Sequence, residues 1–209
     1  MFTSSAGGLG GALPPGKPRF DELRTPRLRL RRWRETDLAP FAAMNADPLV
    51  MRYLPAPLTR AASDALVDQL EERFATQGFG LWAVERIDEG DFVGFTGLNP
   101  LRAGTPGGDG MEVGWRLAAH AWGHGYATEA GRAALDVALG PAGLPEVWSI
   151  TAVLNTPSEA VMRRIGLEFH SAFNHPVLPV GHALRPHVAY RVDRRSPPAK
   201  YQDATRRLL

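Results

Sequence analysis

The stretch Trp122-Gly123-His124-Gly125-Tyr126-Ala127-Thr128-Glu129-Ala130 places two glycines one residue apart, directly ahead of a good helical sequence. Glycine lets the backbone turn tightly and approach a ligand with no Cβ in the way. The first N–H groups of a helix have no partner inside it, so such a turn aims several donors at one point. A phosphate suits that place. The helix is marked by Ala130, Ala134 and Val137 on one stripe, with Ala127 and Ala138 beside them, and by Glu129, Arg132 and Asp136 off it. Upstream, Met111-Glu112-Val113-Gly114-Trp115-Arg116-Leu117 alternates like a strand, giving the order strand, glycine turn, helix. Two nucleotide motifs share this order and fit poorly. The dinucleotide fingerprint wants a small residue where Thr128 stands and an acid about 20 positions on, while the P-loop wants Gly-Lys-Ser/Thr. The chain has no such lysine, only Lys17 and Lys200.

A second block lies downstream. Val147 to Leu154 reads as a buried strand, and Asn155-Thr156-Pro157-Ser158 then opens a helix running through Arg164 to Gly166, with Pro157 suited to a first turn. Asn155 and Ser158 are residue types that cap helices, and the same short polar groups can line a site. Glu112 is either a solvent-facing strand residue or a base on the strand that leads into the turn.

These blocks together resemble the GNAT acetyltransferase superfamily. The glycine turn resembles its motif A, Gln/Arg-x-x-Gly-x-Gly/Ala, which carries the pyrophosphate of acetyl-CoA on backbone N–H groups. The form Trp-Gly-x-Gly-Tyr-Ala-Thr-Glu-Ala is similar to the branch containing the ribosomal-protein N-terminal (Ala/Ser) acetyltransferases. His120 stands where Gln or Arg is usual, which removes one phosphate contact and leaves the backbone cradle. Residues Asn155 to Leu167 resemble motif B, with Ser158 at the small position and Gly166-Leu167 at its end. Glu112 to Leu117 resembles the family's fourth strand, where a Glu is often found and where the backbone beyond it pairs with the pantetheine arm. The resemblance covers residues 23 to 194 and is strongest from 111 to 167.

The resemblance implies an α/β (α+β) fold with a mixed, mostly antiparallel sheet of six to seven strands and helices on both faces. It implies acetyl-CoA as cosubstrate and no metal, with the cofactor held by Leu117, Trp122, Gly123, His124, Gly125, Tyr126, Ala127 and Asn155. Acetyl transfer needs a base for the amine and a proton or hydrogen bond for the departing thiolate. It also needs a backbone N–H for the carbonyl oxygen, which a splayed strand beside Leu117 would supply. Many family members place a tyrosine acid where this chain has Met162. The branch instead points to Ser158 near the sulfur and to Glu112 as base, directly or through water.

The elements that must position these groups follow from periodicity. A Gly- and Pro-rich leader is expected over 1–22, a single N-acetyltransferase domain over 23–195 and a tail over 196–209. Strands are expected at 26–33, 80–87, 91–99, 111–117, 147–154, 167–173 and 187–193. Helices are expected from Thr36 or Asp37 to Met44, from Thr59 to Gln77, over the cradle to Leu139 and after Asn155, with a short segment at 48–54. Asp88-Glu89-Gly90 is a hairpin turn. Leu66, Leu70 and Phe74 form a core seam, and Arg27-Leu28-Arg29-Leu30-Arg31 reads as a strand with leucines inward and arginines in water. This alternation, with a net charge of +2, does not favour nucleic acid.

At 209 residues and 44% hydrophobic content the chain can bury a full core. It has no cysteine, which excludes disulfides and a cysteine acyl-enzyme and leaves direct transfer. Its six histidines include His120 and His124 four apart, but the glycines oppose a helix there and no third or fourth zinc ligand is in view. His175, His182 and His187 occupy a Pro- and Gly-rich segment, in packing or surface roles or, alternatively, lining an acceptor. A secretory signal and a membrane span are not expected, so the cytoplasm is the default location. The chain is expected to act as a monomer or homodimer on a peptide or protein N-terminus or a small amine. Residues Met51 to Leu54 and the 170s to 180s are the expected acceptor-facing segments. A non-catalytic acyl-CoA-binding or sensing module stands as the alternative, kept open by Met162 and opposed by Glu112 and Ser158.

Overall fold

The structure, a computed structural model, describes residues 18–195. The 196–209 tail and residues 1–17 of the leader lie outside the described residues. Among the described residues there are eight strands: β1 (Glu22–Arg24), β2 (Leu28–Arg31), β3 (Leu81–Arg86), β4 (Phe92–Pro100), β5 (Met111–Leu117), β6 (Glu146–Ala152), β7 (Glu168–Asn174) and β8 (Pro186–Asp193). Five α-helices join them: α1 (Leu38–Ala46), α2 (Pro48–Met51), α3 (Arg60–Gln77), α4 (Tyr126–Leu139) and α5 (Thr156–Ile165). The chain divides into two compact units. The first comprises the residues up to Asn99 together with Gly114–Ala134, and the second comprises Pro100–Val113 and the residues from Leu135 onward.

In the first unit β1, β2, β3 and β4 pair antiparallel in that order. The extra strand relative to expectation is β1. The expected strand at 26–33 is the second arm of a hairpin, because Thr25 and Pro26 break the chain: the Thr25 N–H donates to the Leu28 carbonyl at 2.9 Å and the Thr25 hydroxyl oxygen accepts from the Leu28 N–H at 2.9 Å. Pro26 and Arg27 form the tip of that turn, a position that suits the fixed φ of proline. Leu28 and Leu30 are fully buried, as the alternation predicts. Of the arginines that alternate with them, Arg27 is exposed as expected, whereas Arg29 is half-buried and Arg31 does not stand in water. Arg31 is buried against Asp37 (2.6 Å) and Glu85 (2.8 Å), and Arg29 also reaches Glu85 at 3.1 Å. Carboxylates from the short turn at 35–37 and from β3 cover that face, because a guanidinium can be buried only if it is paired.

Helix α3 is capped as its sequence requires. The Thr59 hydroxyl accepts from the Ala62 N–H, and Gly78 ends the helix at φ 80°. Leu66, Leu70 and Phe74 are all buried. Trp33 packs on Phe41, Phe92 and Phe95 with ring centroids 4.7 to 6.3 Å apart and donates its indole N–H to the Leu81 carbonyl. Phe20 is tied to this unit through its N–H to Gly78 and its carbonyl from Trp82.

In the second unit the first residues of β5, up to Val113, are followed in order by β6, β8 and β7, parallel for β5 with β6 and antiparallel for the rest. Trp148 on β6 packs with Leu101 and Ala189, and Gly107 lies so close to it that a Cβ there would sit 2.8 Å from the indole. His175 is buried beside His187 with ring centroids 4.7 Å apart. Burial, aided by the charge of His187, pushes the His175 imidazole down to about 4, so it is neutral at neutral pH. Its burial fits the packing role. Among the described residues no helix is long and apolar enough to cross a membrane.

Candidate active site

The glycine turn lies wholly in the first unit. A short 3-10 turn at Ala119–Ala121 follows β5, and the chain then passes Trp122 into the two glycines, at φ 81° for Gly123 and φ 80° for Gly125. That left-handed backbone is open to glycine and costly for other residues, which explains why both positions carry it. A Cβ on Gly123 would meet nothing within 4 Å, and one on Gly125 would meet only the Arg27 guanidinium at 3.6 Å. The turn is therefore open where these side chains would stand. The first helical bond of α4 runs from the Glu129 N–H to the Gly125 carbonyl at 3.1 Å, which leaves the N–H groups of Tyr126, Ala127 and Thr128 ahead of the helical ladder. These donors and the positive end of the helix dipole suit a phosphate.

The walls of this turn are aromatic and cationic. His124 stacks on Tyr126 with centroids 5.4 Å apart, and the Trp122 indole donates to the Leu117 carbonyl at 2.8 Å. The Arg116 carbonyl and the Ala118 N–H face β4, the latter bonded to Val93. Backbone groups alternate along a strand, so the Leu117 carbonyl and N–H face the opposite edge. The carbonyl is taken by Trp122, and the N–H opens on the same side. His120 is exposed, with Nε2 4.0 Å from Asp91. Arg52, within the segment Met51 to Leu54, places its guanidinium 5.5 Å from the Trp122 ring and 4.7 Å from the Tyr53 ring.

The other expected site residues belong to the second unit. Asn155 is the N-cap of α5, and its side-chain oxygen accepts from the Ser158 N–H at 3.4 Å. The Asn155 amide nitrogen donates to the Ser158 and Thr151 hydroxyls, both at 3.0 Å. The cap is thus Asn155, whereas Ser158 is the residue it holds. Because Ser158 Oγ accepts from Asn155, its own proton is left to be donated elsewhere. Met162 is fully buried, in line with its apolar character. Tyr190 donates its hydroxyl to Glu159 at 2.6 Å and accepts from Arg163 at 3.1 Å, so that phenol is already engaged. Glu112, half-buried on β5, stands in register with Trp148 on β6.

A family model described as an acetyltransferase (GNAT) domain matches residues 27–168. The chain belongs to the GNAT acetyltransferase family. It is 30% identical over 149 residues to the uncharacterised protein YkkB of Bacillus subtilis, a match covering 71% of this chain and 86% of that one. It is 37% identical over 103 residues to an FsC-acetyl coenzyme A-N(2)-transacetylase of Aspergillus fumigatus, covering 46% of this chain and 42% of the relative. It shares its fold with RimL, a ribosomal L7/L12 α-N-protein acetyltransferase solved in complex with coenzyme A, at a TM-score of 0.66 and 14% identity, over 81% of this chain and 95% of RimL.

As a GNAT acetyltransferase the chain is an enzyme, and the reading as a non-catalytic module is set aside. The sequence reading missed one residue at the cradle of this acetyltransferase. Arg27 is exposed, as expected, but it stands on the turn ahead of β2, and its Nη1 donates to the His124 carbonyl at 2.9 Å and its Nε to Glu129 at 2.7 Å. The only sequence signal was a charged pair, Arg27 and Glu129, separated by 102 positions.

Proposed function

We propose that this GNAT acetyltransferase transfers the acetyl group of acetyl-CoA directly to a primary amine, with a peptide N-terminal α-amino group as the favoured acceptor. The observation that carries the reading is the pair of left-handed glycines opening into α4, an open turn whose backbone donors have the polarity that a pyrophosphate needs. The RimL likeness and the Trp-Gly-x-Gly-Tyr-Ala-Thr-Glu-Ala form support the acceptor class. In this reading Gly123 to Ala127 hold the pyrophosphate with Trp122 and His124 as walls, Leu117 offers its N–H to the thioester arm, and Asn155 orients Ser158.

The amine nitrogen attacks the thioester carbonyl carbon, and the carbon–sulfur bond breaks. Glu112, directly or through one water, takes the proton that the amine loses, while Ser158 gives its free proton to the departing thiolate and is reprotonated from solvent. The products are the amide and CoA thiol, so charge and atoms balance with no covalent enzyme intermediate. An acceptor screen with acetyl-CoA, reading free thiol release, tests this. Peptides with a free Ser or Ala α-amino group are expected to turn over, and the same peptides blocked at the N-terminus are not. Turnover of blocked peptides through lysine side chains, or of small amines alone, would contradict the acceptor assignment.

A further inference from the structure

We infer that Arg27, at the tip of the β1–β2 hairpin, is a positioning residue for the phosphate cradle, which it serves by orienting one peptide group and cancelling one charge. The inference rests on the reading of Gly123 to Ala127 as the pyrophosphate site and goes beyond it, since no cradle contact had been assigned to this hairpin.

The first part is geometric. Arg27 Nη1 holds the His124 carbonyl oxygen at 2.9 Å. In a planar trans peptide the carbonyl and the following N–H point to opposite sides. Holding that oxygen against the hairpin therefore turns the Gly125 N–H away from it. Gly125 has no Cβ and sits at φ 80°, so little else fixes this peptide plane. The guanidinium also lies 4.8 Å from the Tyr126 ring centre, against the first residue of α4.

The second part is electrostatic. Glu129 lies in the first turn of α4, where an acid is favoured by the helix dipole but opposes a bound anion. Thr25 Oγ1 donates to Glu129 Oε1 at 2.6 Å, the Arg27 N–H donates to the same oxygen at 3.0 Å, and Arg27 Nη2 lies 2.6 Å from Oε2. Burial pushes this carboxyl up, but the hydrogen bonds from Thr25 and Arg27 outweigh it and hold the group below its ordinary range. Glu129 is thus ionised, and Arg27 is the cation that offsets it. His120, which stands where a phosphate-binding Gln or Arg is usual, is exposed and turned toward Asp91.

The test is calorimetric titration of the full chain and of Arg27→Met with CoA and with S-acetyl-pantetheine, which lacks the pyrophosphate, after thermal unfolding has confirmed that both proteins fold. CoA affinity is expected to fall about tenfold or more, the usual scale for a charge-assisted hydrogen bond left unmade. Acetyl-pantetheine affinity is expected to stay at the wild-type value. Equal losses for both ligands would make Arg27 a general structural residue, and an unchanged CoA affinity would leave it no role; either result overturns the inference alone. A wild-type chain that does not bind CoA overturns the site reading and this inference with it. If Arg27→Met does not fold, Arg27→Lys carries the same test, because one ammonium keeps the charge but cannot hold both the carboxylate and the His124 carbonyl as a fork does.

Discussion

Replacing Glu112 with Gln, or Ser158 with Ala, is expected to lower turnover by about 10²- to 10⁴-fold, the usual contribution of a positioned acid or base, while leaving CoA affinity nearly intact. Glu112 stands in register with Trp148 of β6, and Ser158 receives a hydrogen bond from Asn155 that frees its own proton. The competing account makes Ser158 part of the helix cap, for which removal would cost about 1 kcal/mol of stability. The arrangement at α5 separates the two. The cap acceptor is Asn155, whose amide keeps its second hydrogen bond to Thr151 when the serine hydroxyl is gone. Steady-state rates and unfolding, measured on the same variants, decide the matter. A Ser158→Ala protein of wild-type turnover has lost no catalytic group, and a Glu112→Gln protein with an unchanged pH–rate profile places the base elsewhere.

The second large effect concerns the cradle. Gly125→Val is expected to weaken CoA binding by about a hundredfold, equivalent to about 2.7 kcal/mol, whereas His120→Ala changes it little. Gly125 lies at φ 80°, where a β-branched side chain is strained in any case, and its new methyl groups would stand over the open side of the turn beside Arg27. His120 is exposed and 4.0 Å from Asp91, so its removal disturbs neither the glycines nor the first turn of α4. Calorimetric titration of both variants, after each is shown to fold, gives the comparison. Equal losses would make His120 a principal phosphate ligand and reduce the weight carried by the backbone.

The parts of this enzyme that were legible in its sequence are those determined by local periodicity. The α4 stripe is one, with Ala130, Ala134 and Ala138 fully buried and Arg132 and Asp136 exposed; Thr59 and Gly78 at the ends of α3 are another. Leu135, also fully buried, escaped the stripe because it extends the apolar face beyond one row. Strand β1 was hidden because three residues, Glu22-Leu23-Arg24, are too few for alternation to register, and their pairing depends on the turn at Thr25. The arginine face of β2 was misread for a different reason. Whether an arginine lies in water or against a carboxylate depends on partners far along the chain, such as Asp37, Glu85 and Glu129. The same holds at the site. Glycines and a helix start announce a cradle, whereas Arg27 at its edge and Trp122 closing on Leu117 follow from tertiary structure. In the second unit the sequence marks both Asn155 and Ser158 as polar, but only their hydrogen bonds say which caps the helix and which keeps a free proton.

The central claim, that acetyl-CoA is the donor and that it is held by its phosphates at the Gly123–Ala127 turn, is tested most directly by thermal unfolding of the wild-type chain with acetyl-CoA and, separately, with ATP. At about 100 times its dissociation constant, a ligand that binds only the folded protein adds about 2.7 kcal/mol of stability. Acetyl-CoA is expected to raise the unfolding temperature to that extent, and ATP at the same concentration to raise it much less. No shift with acetyl-CoA, or a larger shift with ATP, would contradict the account.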